Sequence, residues 1–123
     1  MANPNIVNVA NIYGKTVYDA DISGTPSAIV TNAASSGKIY KINSLTIANI
    51  DGSNAADFSA QLRNASGGSI LSNLAKTISV PADSTLVVVS KDTSLYLEED
   101  MSIWIFASVA GDLSAIMSYD EIS

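Results

Sequence analysis

Asp19-Ala20-Asp21-Ile22-Ser23-Gly24 spells the first half of a calcium loop, in which oxygens at alternate positions face one ion. Such a loop closes on a bidentate acid at its twelfth position. Here that residue is Val30, so the stretch reads as a polar turn. Gly14-Lys15-Thr16 has the ending of a phosphate-binding loop, but Val9 stands where the earlier glycine belongs and no strand-to-helix switch follows. Glu98-Glu99-Asp100 sets three carboxylates side by side, an arrangement that a divalent cation would relieve and that a solvated loop also tolerates. Glycoside hydrolysis needs paired acids at a set separation across a cleft, and nothing else in the chain suggests one. Asn64-Ala65-Ser66 is a glycosylation acceptor by spelling, which matters only in a secreted chain. There is no Cys and no His. That removes thiol nucleophiles, disulfides, Cys/His zinc sites and the Ser-His-Asp triad together. The expectation is a non-enzymatic protein without cofactor or metal.

The elements that would position any site follow from composition and pattern. With 123 residues, the chain is read as one domain, 1–123. It is 47% hydrophobic but only 15% charged, against roughly 25% in ordinary soluble domains. So few charges imply a neutral Ser/Asn surface, burial against copies of itself, or both. No apolar run is long enough to span a bilayer and no segment reads as a secretory signal, so the chain is expected to be soluble and intracellular at synthesis, with no membrane partner. The net charge of −6 is uneven along the chain: residues 1–91 hold five acids and six bases, residues 92–123 seven acids and no base. A surface of that sign repels phosphate backbones, which argues against nucleic acid as a partner.

Turn clusters rich in Gly, Pro, Asp, Asn and Ser recur between short runs of Ile, Val, Leu and Thr, the punctuation of an all-β sandwich or barrel. The expected strands are Ile12–Tyr18, Ala28–Thr31, Lys38–Asn49, Asp57–Arg63, Lys76–Val80, Thr85–Ser90, Leu95–Leu97, Met101–Val109 and Leu113–Tyr119. Phe58, Ala60 and Leu62 share one face of the fourth, and Ile78 and Val80 point inward from the fifth. In the long third strand Tyr40 and Ile42 share one parity, Leu45 and Ile47 the other. A bulge near Asn43-Ser44 reconciles them, and a bend there would let one strand serve both sheets. Only Leu71–Lys76 has a helical flavour, and it is too short to stand alone. Residues 1–11 read as an edge strand or as an arm that orders on a neighbour. The fold expected is a two-sheet antiparallel β-sandwich, jelly-roll-like, of about eight strands.

The order of several short motifs carries a resemblance. Gly37-Lys38 leads into a long strand ending in Ala48-Asn49, and Arg63-Asn64 turns after a clean strand. An I-x-V-P-A-x-S-T-L step runs from Ile78 to Leu86, and a Leu-acid-Asp step from Leu97 to Ile103. The chain ends on Ser-Tyr-x-Glu-Ile from Ser118 to Ile122, and opens MANPNIVNVANIYGKT. This cadence resembles small virion structural proteins of tailed phages, especially those infecting marine cyanobacteria. The resemblance implies a jelly-roll-like sandwich and a non-enzymatic role on the virion, the chain being made in the host cytoplasm. A capsid decoration or cement protein on the outside of the head, bound to the major capsid protein or another virion protein, leads. A neck, tail or fibre component is the alternative within that class, and a lectin-like glycan-binding sandwich the alternative outside it.

One strand poses a packing question. In Met101–Val109 the odd residues Ile103, Ile105 and Ala107 are assigned to the core, which turns Trp104 and Phe106 outward. A loop or the N-terminal arm of the same chain could cover them, the two faces could be reversed, or a neighbouring subunit could supply the cover. Aromatic residues are enriched in interface cores. The expectation is therefore a homo-oligomer, a trimer favoured, with Trp104 and Phe106 in or near the contact. Arg63, the only arginine, would pair with an acid of the neighbour's C-terminal quarter or, alternatively, form a local surface ion pair worth little.

Overall fold

The computed structural model describes residues 3–123. Met1 and Ala2, with which the expected arm and the motif MANPN begin, lie outside the described residues. Among the described residues nine strands form: β1 (Ile12–Asp19), β2 (Ser27–Asn32), β3 (Ile39–Asn49), β4 (Ala56–Asn64), β5 (Ile70–Val80), β6 (Thr85–Val89), β7 (Leu95–Leu97), β8 (Met101–Ala107) and β9 (Leu113–Ile122), with a 3-10 turn at Lys91–Thr93. They make two antiparallel sheets. One has the order β1-β9-β3-β6, with β7 also on β3; the other runs β2-β8-β4-β5. The result is the expected β-sandwich. No helix among the described residues is long and apolar enough to cross a membrane.

The core lies between the sheets and is built by period-two alternation. Phe58, Ala60, Ile103, Ile105 and Ala107 face Ile42, Leu45, Ile47, Leu113 and Met117 within one buried cluster. The odd-numbered face of β8 is thus the core face. The phase slip in β3 is resolved where its pattern requires: the register against β9 shifts between Ile42 and Ser44, and Ile42 and Leu45 are both fully buried. The slip does not carry β3 into both sheets. Instead one edge of β3 takes two successive partners in the same sheet, β7 along Tyr40–Ile42 and β6 along Leu45–Ala48.

The segment with helical flavour is strand. Residues 71–76 belong to β5, because pairing with β4 supplies backbone partners that so short a helix could not. Thr77 sits in this edge strand with φ of 53°, a left-handed conformation rare for a β-branched residue, and its N–H donates to Ser59 Oγ at 3.0 Å. Beyond that bulge Val80 is buried. Ile78 faces the same way, opposite Phe58, but remains 40% exposed at the open edge.

Residues 3–11 fold on their own chain and form no strand. Asn3 Nδ2 donates to Glu98 Oε1 at 2.6 Å, and the Ala10 and Asn11 amides donate to the Ser123 carbonyl. Pro4 and Ile6 line a shallow pocket of about 400 Å³ with Ile39, Tyr96 and Glu98.

Candidate interaction interface

Trp104 and Arg63 come together on the outer face of the four-stranded sheet. The β4–β8 register sets Gln61 opposite Trp104 and Arg63 opposite Ser102, so Arg63 and Trp104 are diagonal neighbours on one face. The guanidinium carbon lies 4.5 Å from the indole centroid, a cation–π geometry. Arg63 is held there by Gln61, whose Oε1 accepts from Nε at 2.9 Å and from the terminal guanidinium nitrogen at 2.6 Å. Below the ring, the indole N–H donates to Ser102 Oγ at 2.8 Å, and that hydroxyl donates to the Arg63 carbonyl at 3.3 Å. Ser102 is buried although its side chain points away from the core. Part of the cover sought for Trp104 is therefore supplied in cis, by a side chain rather than by a loop or the N-terminal arm. Arg63 pairs with no carboxylate among the described residues; its partners are Gln61, the Gly68 carbonyl and the indole face. Phe106 lies on the same face opposite Ser59 and stays half-buried.

The outer face of the five-stranded sheet has a different make-up. Short of a marginal row of Tyr96, Lys41, Asp120 and Gly14, its registers line up three rows across the strands: Thr85, Ala48 and Ser114; then Val87, Thr46, Ile116 and Tyr18; then Ser44, Ser118 and Thr16. None of the ten residues in these three rows is charged. In the middle row Val87 is 57% exposed, Ile116 51% and Tyr18 75%. Reading the sequence missed this face. Its only signal was local: Ile116 is apolar at an outward position in the alternation of Leu113 to Tyr119, and Val87 hides in the uniformly apolar run Leu86–Val89.

Charge is segregated toward the two ends of the sandwich. The loops β1–β2, β3–β4, β5–β6 and β8–β9 meet at one end, stitched by backbone hydrogen bonds such as Ile22 N–H to Leu113, Ile50 N–H to Asp112, Asn49 N–H to Ser84 and Ser108 N–H to Asp57. That end collects Asp19, Asp21, Asp51, Asp57, Asp83 and Asp112 with no Lys or Arg among them, which equals the whole net charge of −6. The remaining six acids and six bases balance. The excess negative charge, which the linear sequence assigns to its last quarter, is in space a property of one pole. The Asp51 carboxyl is held below its ordinary range, chiefly by the Ser53 N–H and the Asn54 side chain. Ile22, in the calcium-like stretch, is a buried core plug, and Asp19 Oδ1 accepts the Asp21 N–H in a local turn. No group of three or more His, Cys, Asp or Glu that could hold a metal ion occurs among the described residues.

At the opposite, balanced pole, Glu121 is 4% exposed and bridges Lys15 of β1 and Lys38 just before β3. The two ammonium groups hold its carboxyl below the usual glutamate range, and it raises both lysines in turn. Lys15 of the phosphate-loop-like stretch is thus engaged in a structural pair. The Glu98-Glu99-Asp100 carboxylates diverge: Glu98 accepts from Asn3, Glu99 from the Gly37 N–H, and Asp100 from both the N–H and hydroxyl of Ser66.

No family model and no curated protein matches the chain. Among the solved structures that resemble it are the following two. A subunit of Bacillus endospore appendages, described as a novel family of disulfide-linked pili, has a TM-score of 0.51 and 16% identity over 91% of this chain and 88% of its own. A pentameric capsid protein isolated from metagenomic phage sequences has a TM-score of 0.37 and 14% identity over 87% of this chain and 62% of its own. The first likeness is one of fold. This chain has no cysteine with which to form a disulfide link.

Proposed function

We propose that this chain is a non-enzymatic structural subunit of a tailed-phage particle, of the cyanobacteria-infecting kind its motif cadence resembles. Most concretely it is a decoration protein that clamps the outside of the head shell. The strand order, with β1 beside β9 and β2 beside β8, is read as jelly-roll-like. The observation that carries the proposal is that both sheets turn apolar side chains to their outer faces, the half-buried Trp104 and Phe106 on one and the exposed Tyr18, Ile116 and Val87 on the other. A small sandwich with two such faces suits bridging, not turnover. A homo-oligomer, a trimer favoured, would touch several shell subunits at once and gain through effective concentration what one subunit lacks in contact area. Trp104, Phe106 and Arg63 are assigned to the contact with a neighbouring subunit. The acidic pole would face solvent or a basic patch on the shell.

The test is the number of copies per purified particle, by quantitative mass spectrometry against the major capsid protein. Hundreds of copies in simple ratio to the shell protein is the expected result. A few to several dozen would move the chain to the neck, tail or fibres, and absence from the particle would overturn the reading.

A further inference from the structure

We propose that the outer face of the five-stranded sheet is a self-contact, on which a second copy of this chain packs with its strands running the opposite way. The proposal rests on the homo-oligomer reading above and names a surface that reading leaves out.

The face is self-complementary by pattern. Along β9 the outward residues run Ser114, Ile116, Ser118 and then Asp120, which pairs across the sheet with Lys41 at the margin of the face; inside that margin a row of small or hydroxyl side chains lies on each side of the apolar row Val87, Thr46, Ile116, Tyr18. A twofold axis in the plane of the contact, crossing the strands at that row, lays apolar row on apolar row and each hydroxyl row on the other. This is the isologous arrangement of twofold dimers.

Charge selects the orientation. Packed sheets sit roughly 10 Å apart. A twofold axis along the strands would therefore set two poles of six carboxylates each about one Debye length from one another, where they repel. The axis across the strands parts the acidic poles by about a strand length, roughly 30 Å, beyond the screening distance. It also brings each beside the partner's charge-balanced end, where Lys15 and Lys38 bridge Glu121, instead of beside a second acidic pole. The contact itself, free of charge, adds no repulsion. At about 4.8 Å between strands and 3.4 Å per residue the three rows span roughly 15 by 15 Å, short of a permanent interface, so the pair is reversible and concentration-dependent. A face of this symmetry joins copies two by two; a threefold assembly would have to use the Trp104 side.

The experiment is sedimentation velocity on the full chain over a wide concentration range, for wild type, Ile116→Lys and Trp104→Ala, with circular dichroism to check folding. The expected result is a wild type that gains mass with concentration and an Ile116→Lys variant, equally folded, that self-associates at least tenfold more weakly. Ile116→Lys that associates like wild type while Trp104→Ala does not would overturn this contact and leave the Trp104 contact standing. A wild type that stays monomeric would overturn both. Because the native chain has no cysteine, orientation can be read by mixing Ser114→Cys with Ser118→Cys under mild oxidation. Mixed disulfides are expected; 114–114 and 118–118 products would overturn the antiparallel arrangement.

Discussion

The outer faces of the two sheets meet the same problem, apolar side chains turned away from the core, and meet it differently. On the four-stranded sheet Trp104 is roofed by Arg63, Arg63 is pinned by Gln61, and the indole N–H is satisfied by Ser102 below. On the five-stranded sheet Tyr18, Ile116 and Val87 have no such roof and lie in a row without charge. A planar cation can cover a ring only where the register sets it diagonally across from that ring, and the β4–β8 register does so. On β9 the cross-strand neighbours of Ile116 are Tyr18 and Thr46, which add to the patch instead of shielding it.

The contrast is open to direct attack. Trp104→Ala strikes the roofed face hardest, since it unpacks Arg63 and exposes Ser102. A stability loss of about 2 kcal/mol is expected, below the 3–5 of a fully buried tryptophan, and urea unfolding measures it. Glu121→Gln tests whether the end of the five-stranded sheet depends on its ion bridge, with a melting temperature a few degrees lower at neutral pH. Because the Glu121 pKa is depressed in the folded state, its contribution is full above the ordinary glutamate value near 4.3 and is lost as the pH falls through the lower folded value. The gap between wild type and Glu121→Gln should therefore close in acid. The raised lysines give the mirror case, a contribution lost only as the pH climbs through their raised values. Arg63→Ala should cost about 1 kcal/mol, red-shift the emission of the single tryptophan and open it to acrylamide quenching. Arg63→Lys should restore little, because an ammonium cannot stack. Ile116→Ser should be the mildest, within about 0.5 kcal/mol of wild type, because that side chain is half exposed and meets only surface neighbours, Tyr18 and Thr46, outside the core. A large loss there would erase the distinction between the faces.

Much of the sandwich was legible in the chain. Strand β8 shows its core face through Ile103, Ile105 and Ala107, and the bulge in β3 is visible as the parity change between Ile42 and Leu45, because side-chain period is a local property. The segment 71–76 was misread because edge-strand pairing is a non-local decision that overrides weak propensity. Trp104 and Phe106 could be placed outside from sequence, but not what lies over them: Arg63 precedes Trp104 by 41 positions, and only the register brings the two together.

Composition and short-range period alone mark the chain as a cysteine- and histidine-free β-protein with few charges, and they set the alternation of its strands and the site of its bulge. Which residues share a surface is a matter of the folded sheets. They draw six aspartates from the β1–β2, β3–β4, β5–β6 and β8–β9 regions into one pole, and Tyr18, Thr46, Val87 and Ile116 from four strands into one row. The reason is physical: neighbours across a sheet are chosen by hydrogen-bond register between segments far apart in the chain, and no local pattern encodes that choice.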